Sequence, residues 1–284
     1  MIGKNHDYYP ALREQPIFIV SDGSGVTAET ICHTLLSQFP AGNFNQESLP
    51  FVDSLEKVNT AVARVNQASL DFGVKPLVFT TFVEEEYAVA LSQANAEIFD
   101  LFDPFISRME EALGQNSSHQ SGQAHGIANM TQYNRRMSAV NYAMHCDDGL
   151  HAQEYGNADV ILLGVSRSGK TPTCLYLALH FGFYVANYPL TEDDFLQFKL
   201  PESILAHRDK VFGLNIEASR LHQIRSERRP SSQYASLAQC QEDVTQARNL
   251  FDRYRIGHCD STSYSVEELG STIKHRMGLH SELY

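Results

Sequence analysis

The segment at positions 164–171, GVSRSGKT, constrains this chain more than any other part of it. It matches G-x-x-x-x-G-K-[ST], the P-loop pattern, in which glycines allow successive backbone N–H groups to turn towards phosphate oxygens. An apolar run at 158–165 leads into it, and a helical pattern at about 172–181 follows it. A strand, a glycine loop and a helix in this order predict a phosphate-binding loop, because the helix N-terminus adds partial positive charge.

Three side chains of this loop have distinct expected parts in binding and chemistry. Lys170 is expected to contact the β- or γ-phosphate, and the Thr171 hydroxyl is expected to coordinate Mg²⁺. Arg167 adds a permanently charged planar donor that suits phosphoryl transfer, although a surface arginine paired with an acid is the alternative. The whole predicted binding segment is Gly164, Val165, Ser166, Arg167, Ser168, Gly169, Lys170 and Thr171.

Alternating strand and helix patterns predict the fold class of the first half. Strands are expected at 17–20, 49–54 and 75–82, and helices at about 27–39, 55–70 and 84–113. The polar segment GQNSSHQSGQAHG at 114–126 has the composition of a linker, so a domain boundary is expected there. The predicted domains are 1–118 and 119–284.

The second half repeats the alternation around the predicted P-loop. Helical spacing at 133–144 precedes the strand at 158–165, and apolar strands follow at 183–190, 210–216 and 256–260. A long helix is expected at 237–254, and a last helix begins where Ser265 and Glu268 have capping-box spacing. The predicted fold is therefore α/β with two domains, each a mainly parallel sheet flanked by helices, and the C-terminal domain carries the P-loop.

Charge and cysteine content restrict the partners and the compartment. The formal charge of −12 opposes non-specific binding to nucleic acid or to an anionic membrane surface. The five cysteines have no zinc or redox spacing and are expected to be reduced thiols, as in a cytoplasmic protein. We find no signal sequence and no segment apolar enough to span a bilayer.

Several weaker candidates remain open between a chemical and a structural role. The loop SDGSG at 21–25 is either an anion site without a lysine or a tight turn. In CDDG at 146–149, the carboxylates of Asp147 and Asp148 either hold Mg²⁺ or accept a proton, or the segment is a solvated helix end. Asp260 is either a metal-orienting residue at a strand end or a turn residue.

Two histidines and an arginine run are weaker still. His125 and His145 are more typical of exposed or capping residues than of metal ligands. Arg225, Arg228 and Arg229 either dock an acidic partner or phosphate, or form a solvated face.

Taken together, the motifs resemble one family, the bacterial phosphoenolpyruvate synthase regulatory proteins, which are related to the plant pyruvate, phosphate dikinase regulatory protein. The resemblance covers nearly the whole chain. It rests on SDGSGVTAET near the N-terminus, LPFV at 49–52, KPLVF at 75–79, CDDG at 146–149 and ILLGVSRSGKTPTCLYLAL at 161–179. The segments ANYPL, FGLNI, IRSERR, YASL and STSYSVEE continue it in order.

This resemblance implies a bifunctional enzyme that acts on a threonine of its target synthase. The implied kinase reaction transfers the β-phosphate of ADP and releases AMP. The implied reactivating reaction is phosphorolysis, in which inorganic phosphate removes the phosphoryl group from the threonine and pyrophosphate forms. The family's nucleotide-binding segment falls on Gly164 to Thr171, and Asp148 is the expected general base.

The resemblance also leaves specific questions. The family commonly has histidine directly before the paired aspartates, whereas this chain has Cys146 there and His145 one position earlier. The resemblance implies a homodimer and phosphoenolpyruvate synthase as protein substrate, with pyruvate, phosphate dikinase as the alternative target. A small-molecule P-loop kinase and a non-catalytic nucleotide sensor are the alternatives in function.

Overall fold

The computed structural model describes residues 13–118 and 130–281. The chain divides into two compact units, Met1–Gly126 and Ile127–Tyr284. The division falls in the polar 114–126 segment, most of which lies outside the described residues. The exact boundary at 118/119 therefore stays a prediction.

The first unit alternates strands and helices. Its strands are β1 (Gln15–Val20), β2 (Phe44–Leu49), β3 (Leu77–Thr80) and β4 (Glu97–Asp100). Its helices are α1 (Val26–Leu36), α2 (Leu55–Phe72), α3 (Glu85–Leu91) and α4 (Asp103–Leu113).

Two predictions for this unit were wrong. The segment predicted as a strand at 49–54 is mostly the connection after β2, in which Phe51 has a φ of 56° and Ser54 caps α2. The helix predicted over 84–113 is interrupted by β4, whose pattern of alternate exposure belongs to a sheet edge. The four residues of β4 are too few for alternation to stand out against the two flanking helical patterns.

The first sheet has the order β2-β1-β3-β4, and all of its pairs are parallel. Apolar clusters cover both of its faces, as a parallel sheet requires. The chain leaves β1 in one direction to form β2 and returns to the other side to form β3. The carboxyl ends of β1 and β3 therefore flank a topological switch point.

The second unit contains a second four-stranded sheet. Its strands are β5 (Val160–Gly164), β6 (Val185–Pro189), β7 (Val211–Asn215) and β8 (His258–Asp260). Its helices are α5 (Met130–His145), α6 (Lys170–Phe181), α7 (Glu192–Gln197), α8 (Glu202–Leu205), α9 (Ala218–Arg228), α10 (Leu237–Tyr254) and α11 (Val266–Arg276).

The order of this sheet is β6-β5-β7-β8, again entirely parallel and covered on both faces. The predicted fold class is therefore confirmed. The capping box at α11 is also confirmed, because Ser265 and Glu268 each bond the other's backbone. The central strand β5 is fully buried, and its carboxyl end meets that of β7 at the switch point. Within the described residues, no helix combines the length and apolarity that crossing a membrane requires.

Candidate functional site

The segment from Gly164 to Thr171, called here the 164–171 loop, begins where β5 ends at the switch point. A Cβ atom at Gly164 would lie 2.4 Å from the Leu214 carbonyl oxygen on β7 and 2.9 Å from Ser168 Oγ. Only glycine therefore fits between the two strands without moving the backbone. This close packing fixes the start of the loop against the sheet.

The other end of the loop is set by backbone conformation. Gly169 has a φ of 89° and precedes the first residue of α6, so the loop enters the helix through a left-handed turn. Arg167 also has a positive φ, 77°, although it carries a side chain. Its side chain is exposed, and no carboxylate in the described part of the chain forms an ion pair with it.

Lys170 folds back onto its own loop. Its Nζ atom donates hydrogen bonds to the carbonyl oxygens of Gly164 (3.0 Å) and Val165 (2.9 Å), and the residue is 5% exposed. Burial lowers the pKa of the lysine to about 8, while the negative charges of Asp148 and Asp147 act in the opposite direction. The ammonium group is thus held inside the loop and close to two carboxylates.

Asp147 contacts the first turn of α6. The Thr171 hydroxyl donates to Asp147 Oδ1 at 2.9 Å, and the Asn187 side-chain amide at β6 donates to the same oxygen. Asp147 lies in a short 3₁₀ turn, Asp147–Gly149, that follows α5. The sequence predicted the paired aspartates as candidates for holding Mg²⁺ or accepting a proton. The structure places Asp147 rather than Asp148 against Thr171.

Asp148 has a different environment. It adopts a left-handed conformation with φ 51° and ψ 36°, and its side chain is exposed. Its backbone N–H donates to Asn187 Oδ1 at 3.2 Å. Asn187, buried at the centre of β6, therefore bonds the side chain of Asp147 and the backbone of Asp148. Sequence reasoning missed this role because a single Asn in an apolar strand carries no motif.

Two buried polar atoms at the switch point lack hydrogen-bond partners among the described residues. They are Ser168 Oγ and Asn215 Oδ1, on residues only 1% and 2% exposed. Leaving such atoms unsatisfied costs about 1–3 kcal/mol each unless water or a ligand contacts them. They mark the end of β7 as part of the same polar edge, which the sequence did not indicate.

The arginine run at 225–229 does not act as one surface. Arg225 is 1% exposed and forms an ion pair with Asp243 at 2.7 Å, whereas Arg228 and Arg229 are exposed. Arg225 Nη2 also donates to the Ser166 carbonyl at 3.3 Å. The prediction of a docking or solvated face is thus wrong for Arg225, because that residue is a buried contact of the 164–171 loop.

The remaining sequence candidates have structural contacts or lie outside the described chain. Cys146 is fully buried, and burial raises the pKa of its thiol. The His145 ring stacks on His151 at 3.6 Å and contacts Glu154 at 3.0 Å. Asp260 Oδ1 accepts from the Thr262 N–H at 2.8 Å, which is the predicted turn alternative. His125 lies outside the described residues.

The buried central strand, its glycine loop and the acidic turn beside it define an α/β protein with a strand–loop–helix unit compatible with phosphate binding. The chain belongs to the kinase/pyrophosphorylase family, whose model matches residues 17–273. Family membership makes it a kinase- or phosphorylase-type enzyme.

Several relatives resemble the chain over almost its whole length. A protein of Legionella pneumophila strain Corby is 44% identical over 267 residues, covering 94% of this chain and 98% of the relative. A Hahella chejuensis protein is 45% identical, with 94% and 98% covered, and one from Halorhodospira halophila is 47% identical, with 93% and 96% covered. Each of the three is named "putative phosphoenolpyruvate synthase regulatory protein". These names support a regulatory role.

Proposed function

We propose that this chain is a bifunctional serine/threonine kinase and phosphorylase that regulates phosphoenolpyruvate synthase. In the kinase direction it transfers the β-phosphate of ADP to a threonine of the synthase and releases AMP. In the opposite direction, an oxygen of inorganic phosphate attacks the phosphorus of the phosphothreonine, the threonine oxygen leaves and takes up a proton, and the pyrophosphate so formed is released. The observation that carries the proposal is the arrangement of Lys170, Thr171 and two aspartates around one glycine loop.

One loop can serve both directions because both are phosphoryl transfers between oxygens. The backbone N–H groups of the 164–171 loop and the N-terminus of α6 bind phosphate oxygens. Lys170 leaves the carbonyl oxygens of Gly164 and Val165 and contacts the diphosphate as a positive charge. Arg167, exposed at the tip of the loop, stabilises the charge on the transferring group.

The oxygen donors of Asp147 and Thr171 fit a magnesium ion. Mg²⁺ is commonly held by one or two carboxylates together with substrate phosphates, so a larger cluster of protein ligands is not needed. Among the described residues no group of three or more His, Cys, Asp or Glu side chains could hold a metal. When bound, the ion neutralises charge on the phosphates. Thr171 and Asp147 hold and orient it.

Asp148 is the general base of the proposal. Its carboxylate is exposed beside the loop, so a hydroxyl group of a docked protein can approach it. In the kinase direction it takes the proton of the threonine hydroxyl while that oxygen attacks phosphorus. In the phosphorolysis direction it takes a proton from the attacking phosphate.

The names of the relatives support phosphoenolpyruvate synthase as the protein substrate. A cytoplasmic location and a homodimer belong to the same proposal. The net charge of −12 supports a protein partner over nucleic acid or a membrane.

The test is an incubation of the purified protein with ADP and with the synthase phosphorylated on its own histidine. Mass spectrometry of the target threonine follows. We expect a phosphothreonine and one AMP for each group transferred. Added phosphate should then remove the group and release pyrophosphate. The same incubation with pyruvate, phosphate dikinase compares the two targets. Turnover of a metabolite with ATP and no protein labelling would instead identify a small-molecule kinase, and ADP binding without transfer would identify a sensor.

A further inference from the structure

Arg167 occupies an unfavourable backbone conformation between two anchored residues. A non-glycine residue at φ 77° is strained, and such strain persists only where the surrounding structure enforces it. The contacts that enforce this conformation are made to the two residues that flank Arg167, which are Ser166 and Ser168. They come from parts of the chain that follow the loop by 59 to 93 residues.

Ser166 is held through both its side chain and its backbone. The Tyr234 hydroxyl donates to Ser166 Oγ at 2.9 Å, and Arg225 Nη2 donates to the Ser166 carbonyl oxygen at 3.3 Å. The two donors are themselves fixed to each other. The Arg225 guanidinium lies 4.1 Å from the centroid of the Tyr234 ring, and its Nη1 donates to the Tyr234 carbonyl at 3.1 Å.

Ser168 is held from the opposite side. The Ser261 hydroxyl lies 2.9 Å from the carbonyl oxygens of both Ser168 and Asn215 and shares its hydrogen between them. The Ser261 N–H donates to the same Asn215 carbonyl at 2.8 Å. The loop is thereby tied to the end of β7 on one side of Arg167 and to α9 on the other.

We propose that Arg225, Tyr234 and Ser261 are positioning residues, called here the loop brace, that hold the backbone of 166–168 so that the Arg167 guanidinium is presented to phosphate. The inference rests on the proposed function, because it assigns Arg167 to the charge that develops in phosphoryl transfer. The brace acts through Arg167 and does not contact the reacting atoms. It turns an exposed arginine, which has no ion-pair partner among the described residues, into a preorganised donor.

The test uses Tyr234→Phe, which removes one hydroxyl and leaves the ring under Arg225. The matched control is Tyr87→Phe, because Tyr87 also donates one hydroxyl hydrogen bond, to the Asp53 carbonyl at 2.9 Å in the first unit. Amide hydrogen exchange in the peptide that covers 165–169 should be roughly fivefold faster in Tyr234→Phe, since one hydrogen bond contributes about 1 kcal/mol. Tyr87→Phe should leave it unchanged. Unchanged exchange in Tyr234→Phe would overturn the brace.

A double-mutant cycle tests the link to Arg167. In the wild-type background Tyr234→Phe should lower kcat for ADP-dependent transfer roughly fivefold, with a smaller change in the KM for ADP. In the Arg167→Ala background the same substitution should change kcat less than about twofold. Equal effects in both backgrounds would overturn the inference, because a merely structural role of Tyr234 does not depend on Arg167.

Calorimetric titration with inorganic pyrophosphate measures the coupling between Tyr234 and Arg167 without any reaction. It uses the wild type, Tyr234→Phe, Arg167→Ala and the double variant. If the wild type transfers nothing from ADP but the pyrophosphate affinities are coupled, the proposed function fails and the brace stands. If transfer occurs and neither kcat nor affinity is coupled, the brace fails and the proposed function stands. Ser261→Ala repeats the cycle from the other side of the loop.

Discussion

The two units place a glycine loop that leads into a helix at the same point of the same sheet topology. In each, the first strand is central, and a left-handed glycine five positions after its end begins a helix: Gly25 with φ 78° and Gly169 with φ 89°. A threonine stands two positions after each glycine, Thr27 and Thr171. The two loops nevertheless differ in the residues that determine charge.

In the first unit, Val26 stands where the second has Lys170, and Val20 stands where it has Gly164. Val26 is 55% exposed, whereas Lys170 is 5% exposed and bonded to its own loop. The loop at 21–25 is held by a contact within it and by one to the residue after β3, since Ser21 Oγ accepts from the Gly23 N–H and from Thr81 Oγ1. Both units therefore use a glycine turn into a helix, whereas the lysine and the nearby aspartates distinguish the proposed catalytic loop.

The largest expected effect follows from removing the lysine. Lys170→Ala should lower both kinase and phosphorolysis rates at least about 1,000-fold, because both reactions use the same charged donor. Val26→Ala, at the matching position, should leave both rates unchanged. Steady-state assays in both directions measure this. Loss of only one activity would show that separate sites carry the two reactions.

Asp148→Asn should lower both rates about 100-fold, because the amide cannot take the proton of the incoming nucleophile. Asp147→Asn is the matched control, since it should instead raise the Mg²⁺ concentration needed for half-maximal rate through its contact with Thr171. Rates measured over a range of pH and Mg²⁺ separate the two. An Asp148→Asn protein with near wild-type activity in both directions across pH would exclude this residue as the base.

Two glycine substitutions compare the loops in stability. Gly164→Ala should lower the free energy of unfolding by about 1–3 kcal/mol, since its Cβ meets the Leu214 carbonyl at 2.4 Å. Gly23→Ala should change it by less than about 0.5 kcal/mol, because its nearest neighbour, Ser21 Oγ, is 3.9 Å away. Denaturant titration of both variants measures the difference. Equal losses would mean that the 164–171 loop is no more tightly packed than the other.

The pH dependence of ADP binding should report the buried lysine. With its pKa lowered to about 8, Lys170 is charged at pH 7 and loses its proton as the pH rises through 8. ADP needs the charged form, so its affinity should fall roughly tenfold per pH unit above about 8. Lys170→Arg, which stays protonated, should show a flat profile if it binds. A wild-type affinity that is constant to pH 9.5 would contradict the lowered pKa.

The smallest effect is expected from placing a lysine in the first unit. Val26→Lys should change the free energy of unfolding by no more than about 0.5 kcal/mol, because position 26 is exposed. It should create no pyrophosphate site, since Asp22 lies in the loop and Val20 replaces the glycine. Calorimetry would detect new binding. Binding at this loop would show that lysine alone is sufficient.

The sequence predicted those parts of the molecule that depend on local pattern. The long helix at 237–254 matches α10, and the strands and glycine loop around Lys170 lie where their periodicity indicated. β4 was missed because it is four residues long and lies between two helical patterns. Four residues around the site were missed because each is a single polar residue brought there by tertiary packing, at a distance in sequence that no motif encodes. Tyr234 and Ser261 contact the loop, Asn187 contacts the paired aspartates, and Asn215 contacts Ser261.

The resting position of Lys170 bears on which anions the loop selects. Its ammonium is already solvated by two carbonyl oxygens, so an incoming anion competes with an intramolecular partner. The interaction of the ammonium group with a monoanion is too weak to displace those carbonyl oxygens. A diphosphate forms several charge-assisted hydrogen bonds at once and can displace them. Under the proposed function, the lysine therefore discriminates between anions by their charge. At cellular salt concentrations, chloride would be rejected and ligands with two linked phosphates preferred.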